Sequence, residues 1–457
     1  MSTLTRHEVG GVPFAAHVES WDVEADGRIV ADAWTFAYVR EPVDRTRPVL
    51  FLFNGGPGCA SMWLHLSGLG PWRADVPQDL DAPASVSPAL TESAHTLLDD
   101  VDLVFIDPAT TGFSRLADGA EPADISGVER DAALTAQVIG RWLRRHGRLG
   151  SPVALLGESY GTVRAPLTAT ALRASGILVT RIALLGQCLN AQETNQRAGN
   201  AAGYVAALPF LAATAWFHGR SAHGEKTLDE VTRAAHAFAV RDYALALGES
   251  HPAAAVVDAL AGFTGLTPMQ LRERRLRVDK EEFRRLLLAD RGRTVGLTDA
   301  RYTVATGSDR EPWVDAAEVQ LDPIFTAALH ELLTGPLGLR EEREYRVAVP
   351  AHAQWNYLEA SALRRFDASP MPSPFAVFDY PAHLSALFRA DARARVFIGT
   401  GHFDALTTVG AVEHLKAQYG LPADRLVERR YAAGHMMYSD PASLAALSAD
   451  LRAFLRG

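Results

Sequence analysis

Ser159 lies between two glycines in the stretch GESYGT, residues 157–162, directly after Glu158. The apolar run VALLG before the stretch predicts a buried strand, and the residues after Gly161 predict a helix. A strand, a tight turn flanked by glycines and a helix form the context in which this motif indicates a nucleophilic serine. We therefore predict that Ser159 is exposed at the N-terminus of a helix and attacks an acyl carbon, because the helix dipole stabilises negative charge there.

A serine hydroxyl needs a base to remove its proton and an acid to orient that base. Asp404 follows the predicted strand RVFIGTG, and His435 follows the predicted strand RLVERRY. The chain order Ser, Asp, His and the two strand ends predict a catalytic triad of Ser159, His435 and Asp404. The alternatives are that Asp404 caps a helix and that His435 is a hydrogen-bonded loop histidine.

An oxyanion hole requires two backbone N–H groups that point at the developing negative charge. Tyr160, directly after the nucleophile, supplies the first. The glycine-rich loop FNGGPGCA, residues 53–60, follows the apolar run VLFLF and supplies the second, for which we select Gly56.

Short apolar runs that end in Gly, Pro or Asn alternate with helical stretches in the first half of the chain. The runs at residues 47–54, 101–108, 151–157 and 181–186 are typical of strands buried on both faces of a mostly parallel sheet. Residues 11–40 instead predict an antiparallel hairpin at one edge. The fold class is therefore α/β, with the α/β-hydrolase fold as the specific prediction.

The chain divides into two parts of one α/β core and an inserted segment. Residues 190–346 are helical, charged and rich in alanine, and predict a helical lid over the sheet. The predicted organisation is a core at 1–189, the lid at 190–346 and the second part of the core at 347–457. The 457 residues are ample for this arrangement.

The composition of the chain limits the classes of binding partner. The 45 basic and 54 acidic residues give a net charge of −9, which argues against nucleic acid or an anionic membrane as a partner. The longest apolar runs are the length of strands, and no secretory leader is visible at the N-terminus. We expect a cytoplasmic protein, or a secreted one if a leader has been removed. The two cysteines, Cys59 and Cys188, are expected to be free thiols, with a single bridge as the alternative.

Four motifs together resemble a known family. The stretches NGGPGCASMW, DLVFIDPATTGFS, GESYGT and AAGHMM follow the order found in serine carboxypeptidases, and WLHLSGLGPWR is similar to their bacterial branch. The resemblance covers residues 49–189 and 393–455. It implies removal of single C-terminal residues from peptides through an acyl-enzyme, without metal or cofactor. It also implies that Asn54, Gly55 and Glu158 bind the terminal carboxylate of the substrate.

One position departs from the family pattern. Eukaryotic members have a second glutamate where this chain has Gly68, so the pair of carboxyl groups is incomplete and an acid pH optimum is not assured. His65 and Arg73 lie nearby in the sequence. The alternatives are that they replace the lost carboxyl group, or that they are a core histidine and a surface arginine. Arg164 does not share the helical face of Ser159 and is interpreted as structural.

The sequence is compatible with two rival functions. An acyltransferase or esterase would use the same triad but pass the acyl group to another acceptor or act on esters. A binding protein that retained the fold would not turn over substrate at all. The sequence also leaves open whether the chain forms a homodimer.

Overall fold

The computed structural model describes residues 2–80, 89–307, 315–350, 355–357 and 379–457. Its strands are β1 (Ser2–Val9), β2 (Val12–Ala25), β3 (Arg28–Arg40), β4 (Val49–Phe53), β5 (Trp72–Ala74), β6 (Leu90–Glu92), β7 (Asp102–Asp107), β8 (Val153–Glu158), β9 (Val179–Leu185), β10 (Arg293–Val295), β11 (Thr303–Ala305), β12 (Arg395–Gly401) and β13 (Leu426–Tyr431).

A mixed sheet of nine strands forms the centre of the described part of the chain. Its order is β1-β2-β3-β7-β4-β8-β9-β12-β13, with parallel pairing from β7 onwards. The long hairpin β2–β3 is antiparallel, as the sequence indicated, and it joins the parallel strands through β7. The edge of the sheet, however, is formed by β1, which pairs with the outer side of β2. Because the parallel strands run in one direction, the segments after β4, β8, β9, β12 and β13 emerge along one edge of the sheet.

The helices in the described residues lie on both faces of this sheet and in the segment between β9 and β12. They are α1 (Met62–His65), α2 (Val128–Arg145), α3 (Gly161–Ala174), α4 (Ala191–Thr194), α5 (Ala201–Phe217), α6 (Leu228–Phe238), α7 (Ala244–Ala246), α8 (Ala254–Thr264), α9 (Pro268–Glu273), α10 (Lys280–Leu286), α11 (Ala316–Thr334), α12 (Pro381–Ala390), α13 (Val409–Tyr419) and α14 (Pro441–Arg456).

Two apolar clusters fill the space on either side of the sheet. One packs α11 and α14 against one face, and the other packs α2, α3, α12 and α13 against the opposite face. The central strands are buried on both sides, which explains why β4, β7 and β8 are nearly continuous apolar runs in the sequence.

A third apolar cluster lies within the segment proposed as a lid. It is formed mainly by α5, α6 and α8 and by residues 271–300, and it includes Phe403 and Ala405 from the loop after β12. At the start of α13, Thr408 Oγ1 donates a hydrogen bond to the carbonyl of Ala206 in α5, at 3.0 Å. The inserted helices therefore pack directly on the loop that carries Asp404. The domain boundaries themselves remain a prediction.

Membrane-spanning helices were sought in the described ranges. No helix there combines the length and the apolar character needed to cross a bilayer.

Candidate active site

Ser159 occupies a strained turn between β8 and α3. Its φ is +58°, a left-handed conformation that is uncommon for a residue other than glycine. The Ser159 N–H donates to the carbonyl of Leu185 at 2.9 Å, and the Thr162 N–H donates to the carbonyl of Ser159 at 2.8 Å. The turn is thus held from β9 and from the first turn of α3, and the serine side chain stays partly exposed while its neighbours are buried.

His435 and Asp404 form a buried pair at the ends of β13 and β12. His435 Nδ1 donates to Asp404 Oδ2 at 2.7 Å, and Asp404 is fully buried. Three further donors reach this carboxylate: the N–H groups of Leu406 and Thr407 at 2.7 and 3.0 Å, and Thr407 Oγ1 at 2.5 Å. Burial alone would lower the pKa of His435, but the charge of Asp404 and its hydrogen bond outweigh burial and raise that pKa above its usual range.

Ser159 and His435 both lie beside the end of β9. The Ser159 N–H binds Leu185, and a Cβ atom at the next residue, Gly186, would lie 2.8 Å from His435 Cε1. Glycine is therefore required for the imidazole to approach this close. Among the described residues no hydrogen bond joins the Ser159 hydroxyl to the His435 ring. Such bonds are often long or misaligned without substrate and tighten when it binds.

The loop after β4 lies against the nucleophile turn. A Cβ atom at Gly55 would lie only 2.3 Å from the nitrogen of Tyr160, so the two backbones touch. The N–H groups of Gly56 and Tyr160 donate to no carbonyl within the described ranges. The loop is closed by the Cys59 N–H, which donates to the carbonyl of Gly55 at 3.1 Å. Two unused N–H groups beside Ser159 are what an oxyanion hole requires.

Glu158 is a buried carboxyl group with one occupied oxygen and one free oxygen. Asn54 Nδ2 donates to Glu158 Oε1 at 3.2 Å, and the hydroxyl of Tyr438 donates to the same oxygen at 3.1 Å. Oε2 is buried and has no partner among the described residues. Burial raises the pKa of Glu158 to about 7. With Oε1 accepting two hydrogen bonds, Oε2 is the oxygen left to carry the proton when Glu158 is protonated, and it can then act as a donor.

Arg164 supports the glycine-rich loop from behind. It is fully buried, its Nε donates to Asp131 Oδ2 at 2.7 Å, and its Nη1 donates to the carbonyl of Asn54. The side chain also lies over the rings of Phe53 and Tyr160. These contacts agree with the structural role inferred from the sequence.

We expect Asp131→Ala to lower the free energy of unfolding by about 3–5 kcal/mol, because it leaves the Arg164 charge buried without its partner. Urea unfolding followed by tryptophan fluorescence would measure the change. Asp22→Ala is a control of the same residue type at an exposed position, and we expect it to change stability little. A loss below about 1 kcal/mol in Asp131→Ala would contradict a supporting role for the ion pair.

The residues near the missing second glutamate lie in the core or at the surface. His65 is buried, its Nε2 hydrogen bonds with the hydroxyl of Tyr38, its ring stacks on Phe105, and burial lowers its pKa to about 3. Arg73 pairs with its neighbour Asp75. At Gly68 a Cβ atom would lie about 3 Å from Leu444 and Ser93. The structure therefore favours a core histidine and a surface arginine over replacement of the lost carboxyl group by His65 or Arg73.

Several residues at this site were not predicted from the sequence. Tyr438 binds Glu158, Thr407 binds Asp404, and the carbonyl of Thr298 accepts the His435 N–H at 2.6 Å. Glu318, in the first turn of α11, acts on the charge of His435, and partial burial with neighbouring carboxylates raises the pKa of Glu318 to about 7. Only Thr407 carried a signal, since an aspartate followed by a threonine three residues later is typical of a side-chain turn.

The cysteines are both unpaired and half-buried. Cys188 Sγ donates to the carbonyl of Ser159 at 3.2 Å, and Cys59 lies in the glycine-rich loop. Burial raises the pKa of each thiol to about 11, so both stay protonated near neutral pH. The expectation of free thiols is confirmed.

The sheet order and the residues at the strand ends define an α/β hydrolase, and comparison with solved structures supports this fold. The structure of a prohormone-processing carboxypeptidase from Saccharomyces cerevisiae superimposes with a TM-score of 0.59 over 96% of this chain and 91% of that chain, at 14% sequence identity. At this identity the likeness shows the fold, and the predicted fold class is confirmed.

Sequence comparisons point to one family within this fold. The family model described as serine carboxypeptidase matches residues 34–184. Serine carboxypeptidase-like 5 of Arabidopsis thaliana is 29% identical over 26% of this chain and 27% of its own length. Serine carboxypeptidase-like 8 of the same plant is 26% identical over 26% of each chain. The matched stretches thus span about a quarter of these curated relatives. Residues 34–184, which the family model matches, contain Asn54, Gly56, Glu158 and Ser159.

Proposed function

We propose that the protein is a serine carboxypeptidase that removes C-terminal residues from peptides through an acyl-enzyme. The observation that carries the proposal is Glu158. A buried carboxyl group of raised pKa, with one oxygen that has no partner among the described residues, lies directly before the nucleophile and is held by Asn54 and Tyr438. A generic serine hydrolase needs no such group, whereas an enzyme that reads a terminal carboxylate needs a donor at this place. The family match over residues 34–184 supports the same conclusion.

In this mechanism His435 takes the proton of the Ser159 hydroxyl as the oxygen attacks the scissile carbonyl. The negative charge on the carbonyl oxygen is stabilised by the N–H groups of Gly56 and Tyr160. His435 then protonates the leaving amino group, which departs as a free amino acid. Water, activated by the same histidine, attacks the acyl-enzyme and releases the shortened peptide. Asp404 orients the imidazole and stabilises its positive form.

The terminal carboxylate of the substrate would be held on the Glu158 side of the nucleophile. Glu158 Oε2 donates its proton to one carboxylate oxygen, and the Asn54 side chain and the backbone at Gly55 complete the site. Because Asn54 Oδ1 already accepts the Leu64 N–H at 3.1 Å, the Asn54 amide group is fixed with its NH₂ towards Glu158. This arrangement needs no metal and no organic cofactor.

The proposal is tested by incubating the protein with an N-blocked dipeptide and separating the products by chromatography. We expect release of the free C-terminal amino acid. The corresponding dipeptide amide should be cleaved much more slowly. Turnover of simple esters together with an intact dipeptide would contradict the proposal. That result would support the second candidate, an esterase or acyltransferase, which the absence of a carboxyl group at Gly68 favours.

The pKa of Glu158 predicts a pH dependence that is specific to substrates with a free carboxylate. Glu158 is protonated and able to donate below its pKa of about 7, and it is ionised and repels the substrate carboxylate above it. We therefore expect the ratio of kcat/KM for a peptide acid to that for its amide to fall as the pH rises through about 7. Using the ratio cancels the titration of His435, which both substrates share.

In Glu158→Gln this ratio should become independent of pH, and the variant should lose more activity on acids than on amides. The exposed Glu225→Gln is the matched control and should keep the wild-type profile. Equal losses of kcat/KM on peptide acids and amides, with an unchanged pH profile of the ratio, would contradict a role for Glu158 in binding the substrate carboxylate.

A further inference from the structure

The end of strand β7 carries a buried carboxyl group that the proposed mechanism does not use. Asp107 is the last residue of β7 and is fully buried. It lies in the motif DLVFIDPATTGFS. Since β7 pairs in parallel with β4, Asp107 lies beside the glycine-rich loop that leaves the end of β4. A carboxyl group buried at this place is unfavourable without hydrogen-bond partners.

The residue directly after the glycine-rich loop donates twice to this carboxyl group. The N–H group and the hydroxyl of Ser61 each donate to Asp107 Oδ1 at 2.7 Å. Ser61 is itself fully buried, so water does not compete for these two bonds. Burial raises the pKa of Asp107, and the Ser61 donors act in the opposite direction because they stabilise the ionised form. The two hydrogen bonds fix the far end of the loop to the end of β7.

The other oxygen of Asp107 packs against the turn that follows β7. A Cβ atom at Gly112 would lie 2.1 Å from Asp107 Oδ2, so only glycine fits beside the carboxyl group. The Gly112 N–H donates to the carbonyl of Arg346 at 2.8 Å, and the Arg346 N–H donates to the carbonyl of Gly112 at 2.9 Å. Asp107 is thus held between Ser61 and this paired turn.

Residues 346–349, the strap, connect the turn after β7 to the glycine-rich loop. The Ala60 N–H donates to the carbonyl of Val347 at 2.8 Å, and the Val349 N–H donates to the carbonyl of Gly58 at 2.8 Å. The first residue of the strap is the one that pairs with the turn after β7. The loop and the turn that encloses Asp107 therefore share one backbone support.

The loop between these supports has few side chains that could fix its shape. Residues 55–60, GGPGCA, contain no charged group, and only the Cys59 thiol can form a hydrogen bond. Gly56 and Gly58 have φ values of +101° and +92°, which glycine adopts without strain. Asn54, before the first glycine, is held through its side-chain oxygen and its carbonyl. The position of the Gly56 N–H therefore depends on how the two ends of the loop are tied.

We propose that Asp107 is a positioning residue for the oxyanion hole. Through Ser61 it holds the far end of the glycine-rich loop, so that the Gly56 N–H points at the oxygen that becomes negative. Because Asp107 is fully buried, it acts through Ser61 and not by touching substrate. The proposal rests on the function proposed above in taking Ser159 as the nucleophile and Gly56 as an oxyanion donor. A donor displaced by about 1 Å lowers the rate by about 10²-fold.

The test follows inactivation of the protein by a fluorophosphonate. The reagent forms a bond between Ser159 Oγ and phosphorus with loss of fluoride, and its phosphonyl oxygen occupies the oxyanion hole. The dependence of the inactivation rate on reagent concentration gives two quantities: the half-saturating concentration reports binding, and the maximal rate constant reports the attack.

In Asp107→Ala we expect the maximal rate constant to fall by about 100-fold, with an unchanged half-saturating concentration. Asp107→Asn keeps an acceptor oxygen for Ser61 and should give an intermediate rate constant. Ser61→Ala loses the hydroxyl donor alone and should lower the rate constant by about tenfold. A residue that only stabilises the fold would not change the maximal rate constant of the folded protein.

Ser151→Ala is the matched control, because Ser151 is a buried serine at the opposite end of the sheet. Its hydroxyl accepts from Arg148 Nε at 2.8 Å and donates to the carbonyl of Arg45 at 2.6 Å. The variant should show the wild-type rate constant even where its stability is lower. Circular dichroism verifies the fold of every variant. If Asp107→Ala does not fold, Asp107→Asn and Ser61→Ala decide by the same criterion.

The outcomes separate this proposal from the function on which it rests. Maximal rate constants within twofold of the wild type in the folded Asp107 and Ser61 variants would overturn the positioning role, even if dipeptides are cleaved. A loss confined to the half-saturating concentration would also overturn it. The expected pattern of rate constants together with intact dipeptides would support the positioning role and contradict the carboxypeptidase proposal. Failure of the reagent to label the wild type would overturn both.

Discussion

Ser159→Ala is expected to lower kcat by a factor on the order of 10⁶, because the variant has no oxygen to form the acyl-enzyme. The residual rate enhancement would come from substrate binding and the oxyanion hole. The substitution removes one partly exposed atom and leaves the β8–α3 turn intact, so the fold should be unchanged. Release of amino acid from an N-blocked dipeptide measures the activity. Labelling with a fluorophosphonate, which should occur in the wild type and disappear in the variant, measures the nucleophile independently.

Ser175→Ala is the matched control, since Ser175 is an exposed serine at the C-terminal end of the same helix. It should retain wild-type activity and labelling. Activity of Ser159→Ala within about tenfold of the wild type would contradict the assignment of the nucleophile, because no other group in the proposed mechanism forms the acyl-enzyme.

Asp404→Asn is expected to lower kcat by about 10⁴-fold. The asparagine side chain has nearly the same shape, but its NH₂ group presents a donor where His435 Nδ1–H needs an acceptor. The wrong tautomer of the imidazole would then face Ser159. The N–H groups of Leu406 and Thr407 both donate to Asp404 Oδ1, so the asparagine oxygen would take that place and its NH₂ group would face His435. Steady-state kinetics on the N-blocked dipeptide measures the loss.

Asp290→Asn provides the comparison, because Asp290 is an exposed aspartate that pairs with Arg220 at the surface. It should change kcat little. If Asp404→Asn kept more than about a tenth of the wild-type kcat, with its fold verified by circular dichroism, Asp404 would not be the residue that orients the base.

Two of the strands that carry the catalytic residues, β8 and β12, could be predicted from the sequence because each is a short apolar run closed by glycine or a polar residue. Parallel strands bring their carboxyl ends to one edge, so Ser159, Asp404 and His435 could be assigned to one site although 276 positions separate the first from the last. The final helix was equally evident, since its apolar spacing covers the range that the structure gives for α14.

Other parts of the site had no local signal in the sequence. Tyr438 reaches Glu158 from a loop after His435, and Thr298 of the inserted segment accepts the His435 N–H at its carbonyl. Such contacts depend on how the lid helices pack on the core, and neither periodicity nor turn chemistry encodes that packing. The edge strand β1 was missed for a different reason: its burial alternates between exposed and half-buried, so few of its residues are apolar enough to mark it.

The most direct test of the central claim is mass spectrometry of a mixed peptide library incubated with the protein at several pH values. We expect stepwise loss of single residues from free C-termini, protection of C-terminal amides, and no trimming by Ser159→Ala. Internal cleavage, trimming from the N-terminus, or an unchanged library while a fluorophosphonate labels Ser159 would contradict it.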